Sequence, residues 1–454
     1  MPRAVVIGLA RSGMACARAL ASDGWEVLVV DRKDDDELRR RAATLPGNVH
    51  VQLGPYGDDV AAGADMVCPS PAVPWDAPEL ARAREAGVPV RSEMDLVFRQ
   101  CPAPIVGITG TNGKTTTTAL TGAVIAAGGA RVHVGGNIGE PMLDRLAEVR
   151  ADDWVVLELS SFQIESVEAP RCRLAAVLNV TPDHLDRHGT FEAYAAAKRR
   201  IVEHCDPRGA VVLGADDAVT RGMAAAASAR VLMAGLDIDV ADGTTVRDGV
   251  VVVVERGQTR SVMPVSDIPL FGEHNVLNVL AALALGHATG VQPQNMAGAV
   301  REFHAVHHRL EPVLDADGVL WVNDSKATNV DAAVKALRAF PEREIVWIGG
   351  GQTKGVGPED LAREVSQRAR HAILNGSTGA EVDAALERLG YTSRTMVDTL
   401  EQAVRVAHDV ARPGDVVLLA PGYTSFDQFT GYEQRGEVFA DLVREVCGTT
   451  RGRV

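Results

Sequence analysis

The chain has 454 residues, too many for one ordinary core, and about 150 residues per domain predicts three domains. Its formal charge of −14 argues against a nucleic-acid-binding surface, which needs a basic face. No run of about 18 apolar residues predicts a membrane span, and Met1-Pro2-Arg3-Ala4-Val5-Val6-Ile7 enters a strand without an apolar signal core, so a soluble cytoplasmic protein is expected. Six scattered cysteines (16, 68, 101, 172, 205, 447) form no C-x-x-C pair and predict buried small hydrophobes rather than disulfides or a zinc ribbon. Only six lysines (33, 114, 198, 326, 335, 354) stand among 46 basic residues. Arginine therefore supplies the routine surface charge, and each lysine is a candidate for work that needs a compact charge or a deprotonable amine.

Short Val/Ile runs at 4–7, 26–30, 66–67 and 88–90 alternate with Ala/Arg-rich helical stretches, the pattern of a parallel sheet with crossover helices. Gly8-Leu9-Ala10-Arg11-Ser12-Gly13 follows the first strand, and Asp31 ends the second, 18 residues after Gly13. This approaches a dinucleotide fingerprint, with Ala10 where a glycine would admit a pyrophosphate. A nicotinamide or flavin site, a site for another nucleotide diphosphate, and plain helix–sheet packing all remain open. Gln100-Cys101-Pro102-Ala103-Pro104 reads as a hinge.

A second α/β region opens with Ile105-Val106-Gly107-Ile108-Thr109-Gly110-Thr111-Asn112-Gly113-Lys114-Thr115-Thr116, an apolar strand, a glycine-punctuated turn and a helix start. Glycines let backbone N–H groups converge on phosphates, the helix N-terminus adds partial positive charge, Lys114 reaches the terminal phosphate and Thr115 ligates Mg²⁺. The spacing departs from the usual loop: glycines stand at 107 and 110, where the first is expected at 108. Strands are predicted at 154–159, 175–180 and 210–213, then a small Val/Asp/Gly/Thr-rich β region at about 230–271. Glu158, at a strand's C-terminal end, reads as a Mg²⁺ ligand or as a solvated edge residue. In Asn179-Val180-Thr181-Pro182-Asp183-His184-Leu185-Asp186, His184 with a carboxylate suits a cation, or the stretch is a polar loop. Lys198 reads as a solvated helix residue, or as an amine that adds CO₂ to give an anionic carbamate ligand.

An Ala/Leu-rich helix to about 289 precedes a third βα series, with strands at 319–322, 344–348, 372–374 and 415–420. Asn323-Asp324-Ser325-Lys326-Ala327-Thr328-Asn329, Gly349-Gly350-Gly351-Gln352-Thr353-Lys354-Gly355 and Pro421-Gly422-Tyr423-Thr424-Ser425-Phe426 each follow a strand. They are predicted to share one crevice suited to a small dicarboxylate. The expected domains are 1–100, 101–305 and 306–454.

These motifs, with Gly135-Gly136-Asn137-Ile138-Gly139, His274-Asn275 and Asn278, His308-Arg309, and Asp427-Gln428-Phe429 through Glu433-Gln434-Arg435-Gly436, resemble the ADP-forming Mur ligases of peptidoglycan synthesis over nearly the whole length. The Asp324-to-Asn329 motif resembles the D-glutamate-adding branch; the Asp-Asn-Pro-Arg of diamino-acid-adding relatives is absent. Folylpolyglutamate synthases share the last two domains but have no counterpart to residues 1–100.

The resemblance implies a Rossmann-like N-terminal domain for a UDP-sugar, a central ATPase-like domain and a Rossmann-like C-terminal domain. It implies ATP-driven addition of D-glutamate to UDP-N-acetylmuramoyl-L-alanine through an acyl phosphate, by a monomer without nucleic-acid or membrane partners. On this reading Arg11, Ser12, Asp31, Arg32 and Asn137 hold the UDP-substrate, and Thr328, Lys354, Ser425 and Tyr432 hold D-glutamate. Gly110, Thr111, Asn112, Gly113, Lys114, Thr115, Thr116, Asn278, Arg309, Asp324 and Lys326 hold ATP. Lys114, Glu158, His184 and Lys198 are catalytic, and two Mg²⁺ sites draw on Thr115, Glu158, His184 and carbamylated Lys198. A nucleotide-binding regulator on a degenerate ligase scaffold, and a ligase of the same chemistry with another acceptor such as L-glutamate, are the alternatives.

Overall fold

Runs of Val, Ile and Leu too short for helices, each followed by an amphipathic stretch, become strands with crossover helices. The computed structural model describes residues 1–236, 238–353 and 355–449. Its first sheet is parallel, ordered β3-β2-β1-β4, from β1 (Arg3–Ile7), β2 (Glu26–Asp31), β3 (Val49–Leu53) and β4 (Met66–Pro69). The strand expected at 88–90 shrinks to a single bridge between Val67 and Val90, because Pro89 has no N–H to extend a ladder. β1 lies between β2 and β4, so residues 8–13 sit where the strand order reverses. Gly8 takes φ +95° there, and a Cβ on Gly13 would lie 1.9 Å from Gly8 O. Both glycines thus let the helix Arg11–Ser22 start in contact with the end of β1.

The second sheet is ordered β13-β12-β11-β10-β9-β8-β5-β7-β6. Its strands are β5 (Ile105–Thr109), β6 (Val132–Gly136), β7 (Trp154–Glu158), β8 (Leu174–Val177), β9 (Ala210–Gly214), β10 (Arg230–Ala234), β11 (Gly243–Arg247), β12 (Val250–Glu255) and β13 (Gln258–Pro264). The region 230–271 extends this sheet instead of forming a separate one: β10 pairs parallel with β9 and β11, and β11 turns antiparallel into β12. Asp248-Gly249 and Arg256-Gly257, each with two positive φ angles, make the tight turns of successive hairpins.

The third sheet runs β14-β15-β19-β16-β17-β18, from β14 (Glu311–Ala316), β15 (Val319–Asn323), β16 (Ile345–Gly350), β17 (Ala369–Asn375), β18 (Arg394–Met396) and β19 (Val416–Leu419). Only β14 is antiparallel among its described pairings. Apolar clusters cover both faces, one centred on Trp347, Leu361 and Leu418, the other on Trp321, Val404 and Phe439. The chain therefore has three α/β layers, as the sequence predicts.

Two compact units result: residues 1–180, 192–263 and 280–299, which carry the first two sheets, and residues 181–191, 264–279 and the chain from 300 onward. Residues 100–104 lie inside the first unit, and charged side chains join the two sheets on either side of them. Asp95 Oδ1 accepts from Glu168 N at 2.8 Å, Arg91 and Arg99 bridge Asp95 and Glu168, and Arg18 pairs with Asp144 at 2.5 Å. Among the described residues no helix is long and apolar enough to cross a membrane.

Glu93 is buried at this junction, 4% exposed, with its Oε1 3.5 Å from Leu143 N and in contact with the Ser12 hydroxyl. Burial pushes its carboxyl up to about 7, helped by Asp144 and opposed by the two hydrogen bonds. A raised folded-state pKa means that the native state binds the extra proton between about pH 4.5 and 7, so this contribution is present at acid pH and is lost as pH rises through 7. Glu93→Gln should therefore melt several degrees above the parent chain at pH 8, and the gap should close by pH 5 in thermal-denaturation scans.

Candidate active site

β5 runs between β7 and β8, so the turn after it opens where the order of the second sheet reverses, the usual ligand crevice of an α/β sheet. Gly113 adopts φ +84° as the residue capping the helix Lys114–Ala127, a left-handed conformation that a glycine permits. Thr115 and Thr116 are buried in its first turn. Lys114 Nζ curls back on its own turn, donating to Gly110 O at 3.0 Å and Thr111 O at 2.8 Å. Lys198 reaches the same carbonyl from the helix Phe191–Glu203, at 2.9 Å, and stands 4.5 Å from the centre of the Tyr194 ring. It is 1% exposed, so a solvated helix lysine is not what the fold makes of it. A buried ammonium needs such partners, here a carbonyl dipole and a ring face. Tyr194 OH in turn meets Thr111 Oγ1 at 3.2 Å.

Glu158, the last residue of β7, is 2% exposed, which removes the solvated-edge reading. Its Oε1 accepts from Asn137 Nδ2 at 3.0 Å, while Asn137 N donates to Glu158 O at 2.9 Å. Gly136 makes that approach possible: it takes φ +99°, and a Cβ there would lie 2.3 Å from Glu158 O.

At the end of β2, Asp31 works as a clamp, accepting from Leu9 N, just beyond β1, at 2.9 Å and from Lys33 N at 3.0 Å. Arg11 is exposed and Ser12 half-buried at the start of their helix. The exposed Arg32 lies 4.6 Å over the Tyr56 ring and 3.3 Å from Glu79.

The second unit holds His184, Asn278, Arg309, Asp324, Lys326, Thr328, Ser425 and Tyr432; Lys354 lies outside the described residues. His184 takes φ +52°, rare for a side-chain-bearing residue, with its Nε2 3.7 Å from Asp183 Oδ2. Asn278 is buried and donates to Asn275 Oδ1 at 2.9 Å, next to His274, whose imidazole burial pushes down to about 4, with the cations Lys335 and Arg309 acting in the same direction. Burial raises the Asp324 carboxyl to about 7, opposed by Arg309 and by Leu310 N, which donates to it at 3.2 Å.

β15, β19 and β16 are neighbours, so the three predicted strand-end loops do lie side by side. Lys326 Nζ donates to Tyr432 OH at 2.8 Å, Ser325 Oγ donates to Tyr432 O at 2.8 Å, and Ser425 is buried nearby in sequence to Thr424, whose O accepts from Gln352 N at 2.9 Å. Thr328, half-buried, closes the first loop through its N–H to Lys326 O at 2.8 Å.

Two residues escaped the sequence reading although they lay inside motifs. Asn179 bonds the backbone of Asn112 with both side-chain atoms, at 2.8 and 3.0 Å. This explains why β8 stops at Val177 and not at 180. Arg435, 4% exposed, donates to Ser325 Oγ at 3.0 Å, Ser325 O at 2.8 Å and Tyr423 O at 3.2 Å, and so joins two of the loops. Burial lowers its guanidinium only to about 10, so it remains charged at neutral pH. In a chain with forty arginines (46 basic residues less six lysines), sequence offers no mark that singles it out.

The phosphate-type turn at a sheet's reversal point and the three-sheet order define a nucleotide-binding α/β enzyme. The same fold occurs in UDP-N-acetylmuramate–alanine ligase MurC of Thermotoga maritima (TM-score 0.62, 21% identity, 98% of this chain and 100% of that one) and MurF of Acinetobacter baumannii (TM-score 0.62, 18% identity, 97% and 93%). Residues 2–92 match the Mur ligase MurD-like N-terminal domain, 108–286 the Mur ligase middle domain and 308–422 the Mur ligase glutamate ligase domain. The chain is 42% identical over 446 residues to the UDP-N-acetylmuramoylalanine–D-glutamate ligase of Koribacter versatilis, covering 98% of each. It is 42% identical over 444 residues to that of Acidobacterium capsulatum (97% of this chain, 96% of the relative) and 40% over 440 residues to that of Geobacter metallireducens (97% and 96%). The chain belongs to the Mur ligase family.

Arg435→Lys keeps the charge but cannot reach three acceptors in one plane, and should destabilise the chain by about 2–4 kcal/mol. Chemical denaturation checks this; a midpoint within error of the parent would remove the role assigned to the guanidinium.

Proposed function

We propose that the chain is an ATP-dependent amide ligase whose working parts are the three regions 1–100, 101–305 and 306–454, acting as a monomer in the cytoplasm. It adds D-glutamate to UDP-N-acetylmuramoyl-L-alanine in peptidoglycan precursor synthesis. The observation that carries this is the turn 110–116, built for phosphates at the reversal point of the central sheet, in a chain collinear with D-glutamate ligases over 98% of its length.

The L-alanine carboxylate attacks the γ-phosphorus of ATP, giving an acyl phosphate and ADP. The D-glutamate amine then attacks the acyl carbon, loses a proton, and phosphate leaves. Two anions must meet in the first step, so positive charge and alignment are what the protein has to supply. Turn N–H groups and the helix N-terminus at Lys114 face the phosphates. Lys114 exchanges its bonds to Gly110 O and Thr111 O for charge-assisted bonds to phosphate oxygen.

Mg²⁺, when bound, neutralises charge between carboxylate and γ-phosphate. Two Mg²⁺ sites would draw on the Thr115 hydroxyl at the phosphate turn and on His184 with carbamylated Lys198, with the buried strand-end Glu158 serving both. Among the described residues no group of three or more His, Cys, Asp or Glu is gathered. A carbamate on Lys198 would turn its amine from a donor to Gly110 O into an acceptor, the form that a cation needs. Asn278, Arg309, Asp324 and Lys326 take the nucleotide, with Asn112 and Thr116 in the turn. Arg11, Ser12, Asp31, Arg32 and Asn137 take the UDP-sugar; for Asp31 the contribution is to shape the loop, since both its oxygens accept backbone N–H groups. Thr328, Lys354, Ser425 and Tyr432 take D-glutamate.

Phosphate release with ATP, Mg²⁺ and UDP-N-acetylmuramoyl-L-alanine is expected with D-glutamate and not with L-glutamate, L-lysine or meso-diaminopimelate. Turnover with only a diamino acid would overturn the acceptor assignment. Lys198→Ala should lose at least 100-fold in kcat, with partial recovery in added short carboxylates; full activity without them would rule out the carbamate.

A further inference from the structure

Past Val177 the chain leaves the second sheet and lies along the phosphate turn. Leu178 N donates to Thr109 O at 3.0 Å, and Thr111 N donates to Asn179 O at 2.9 Å. The Asn179 side chain then completes the pairing: Oδ1 accepts from Asn112 N at 2.8 Å, and Nδ2 donates to Asn112 O at 3.0 Å. One carboxamide thus satisfies both backbone groups of a turn residue, as a neighbouring strand would. The approach is close, since a Cβ on Gly110 would lie 3.1 Å from Leu178 Cβ and 3.4 Å from Asn179 N.

The segment is itself anchored from its other side. Asp217 Oδ2 accepts from Val180 N at 2.8 Å, while its Oδ1 caps the helix Ala218–Gly222 through Val219 N and Thr220 N. A fixed helix start therefore holds Val180, and the adjoining Asn179 holds Asn112. Glycines at 110 and 113 remove the side-chain constraints that would otherwise shape the turn. The shape must come from outside.

We propose that Asn179 is a positioning residue for nucleotide phosphates: its carboxamide templates the backbone of the turn 110–113 and so sets the turn's shape before the nucleotide arrives. This rests on the reading that the turn binds ATP. A primary amide is the one neutral side-chain group of this length that offers an acceptor and a donor side by side. An ionised aspartate sets a second acceptor against Asn112 O, whereas a protonated aspartic acid restores the donor. Leucine, nearly the same shape, offers neither. The charged groups around the segment, Lys114 and Lys198 on Gly110 O and Asp217 at Val180 N, are the same in every variant.

The test is calorimetric titration of the full-length chain and its Asn179→Leu and Asn179→Asp variants with ADP·Mg²⁺ and, separately, with adenosine. Asn179→Leu is expected to weaken ADP 10- to 100-fold while adenosine affinity stays within twofold. Asn179→Asp should be weaker still at pH 8, where the ionised carboxylate sets a second acceptor against Asn112 O. Parent-like ADP affinity in Asn179→Leu, or equal losses of ADP and adenosine, would each overturn the proposal. Should the variants fail to fold, hydrogen exchange on the nucleotide-free parent decides: the Asn112 N–H must be protected, and exchange at the unprotected rate overturns the template. A parent chain that binds no ADP refutes the ATP reading itself; one that binds ADP as tightly as Asn179→Leu refutes only this inference.

Discussion

A turn with glycines at 110 and 113 has little of its own to fix its backbone, and the elements around it in the first unit supply what it lacks. Glycines give access and take away the steric preferences that would fix the backbone. The neighbours supply the restraint: Asn179 on one side, and Lys198 and Tyr194 on the other, bond the peptide groups and hydroxyl of residues 110–112. They can do so because β5 is placed between β7 and β8, which brings the ends of three strands around one helix start. The buried Glu158 arrives by the same placement, one strand away.

The lysines show how a scarce residue is handled. Lys114 and Lys198 both donate to Gly110 O, and Lys326 donates to Tyr432 OH, so each ammonium already has a protein partner, which the proposed ligand roles require it to exchange. For Lys114 the exchange favours a phosphate, since an anion is a better acceptor than a carbonyl. For Lys198 a different partner is not enough; serving a cation requires the amine to lose its charge. In the second unit the equivalent structural task falls to Arg435, whose planar fork spans two loops that a lysine could not join.

Where the reading from residues fell short, backbone hydrogen bonding explains it. Residues 178–180 look like the end of an apolar strand, yet their polar groups go to the phosphate turn and Asp217. Residues 88–90 are β-prone, but Pro89 limits them to one bridge. β3 alternates half-buried and exposed residues, with His50 and Gln52 facing out, a pattern too polar to stand out in a scan for apolar runs. No local pattern announces the network of Arg91, Asp95, Arg99 and Glu168, which joins the sheets on either side of the Pro-rich stretch 100–104.

The sequence by itself determined the α/β class of each sheet, the glycine-punctuated turn after β5 and the family, because period, glycine placement and motif order are local properties of the chain. It also marked Lys198 and Glu158 for attention, through scarcity and strand-end position. Only the tertiary structure decided that both are buried, that Asn179 and Arg435 are structural supports of their loops, and that the β region at 230–271 belongs to the central sheet. Burial and long-range pairing depend on which strands become neighbours, and that order is set by packing the whole chain at once.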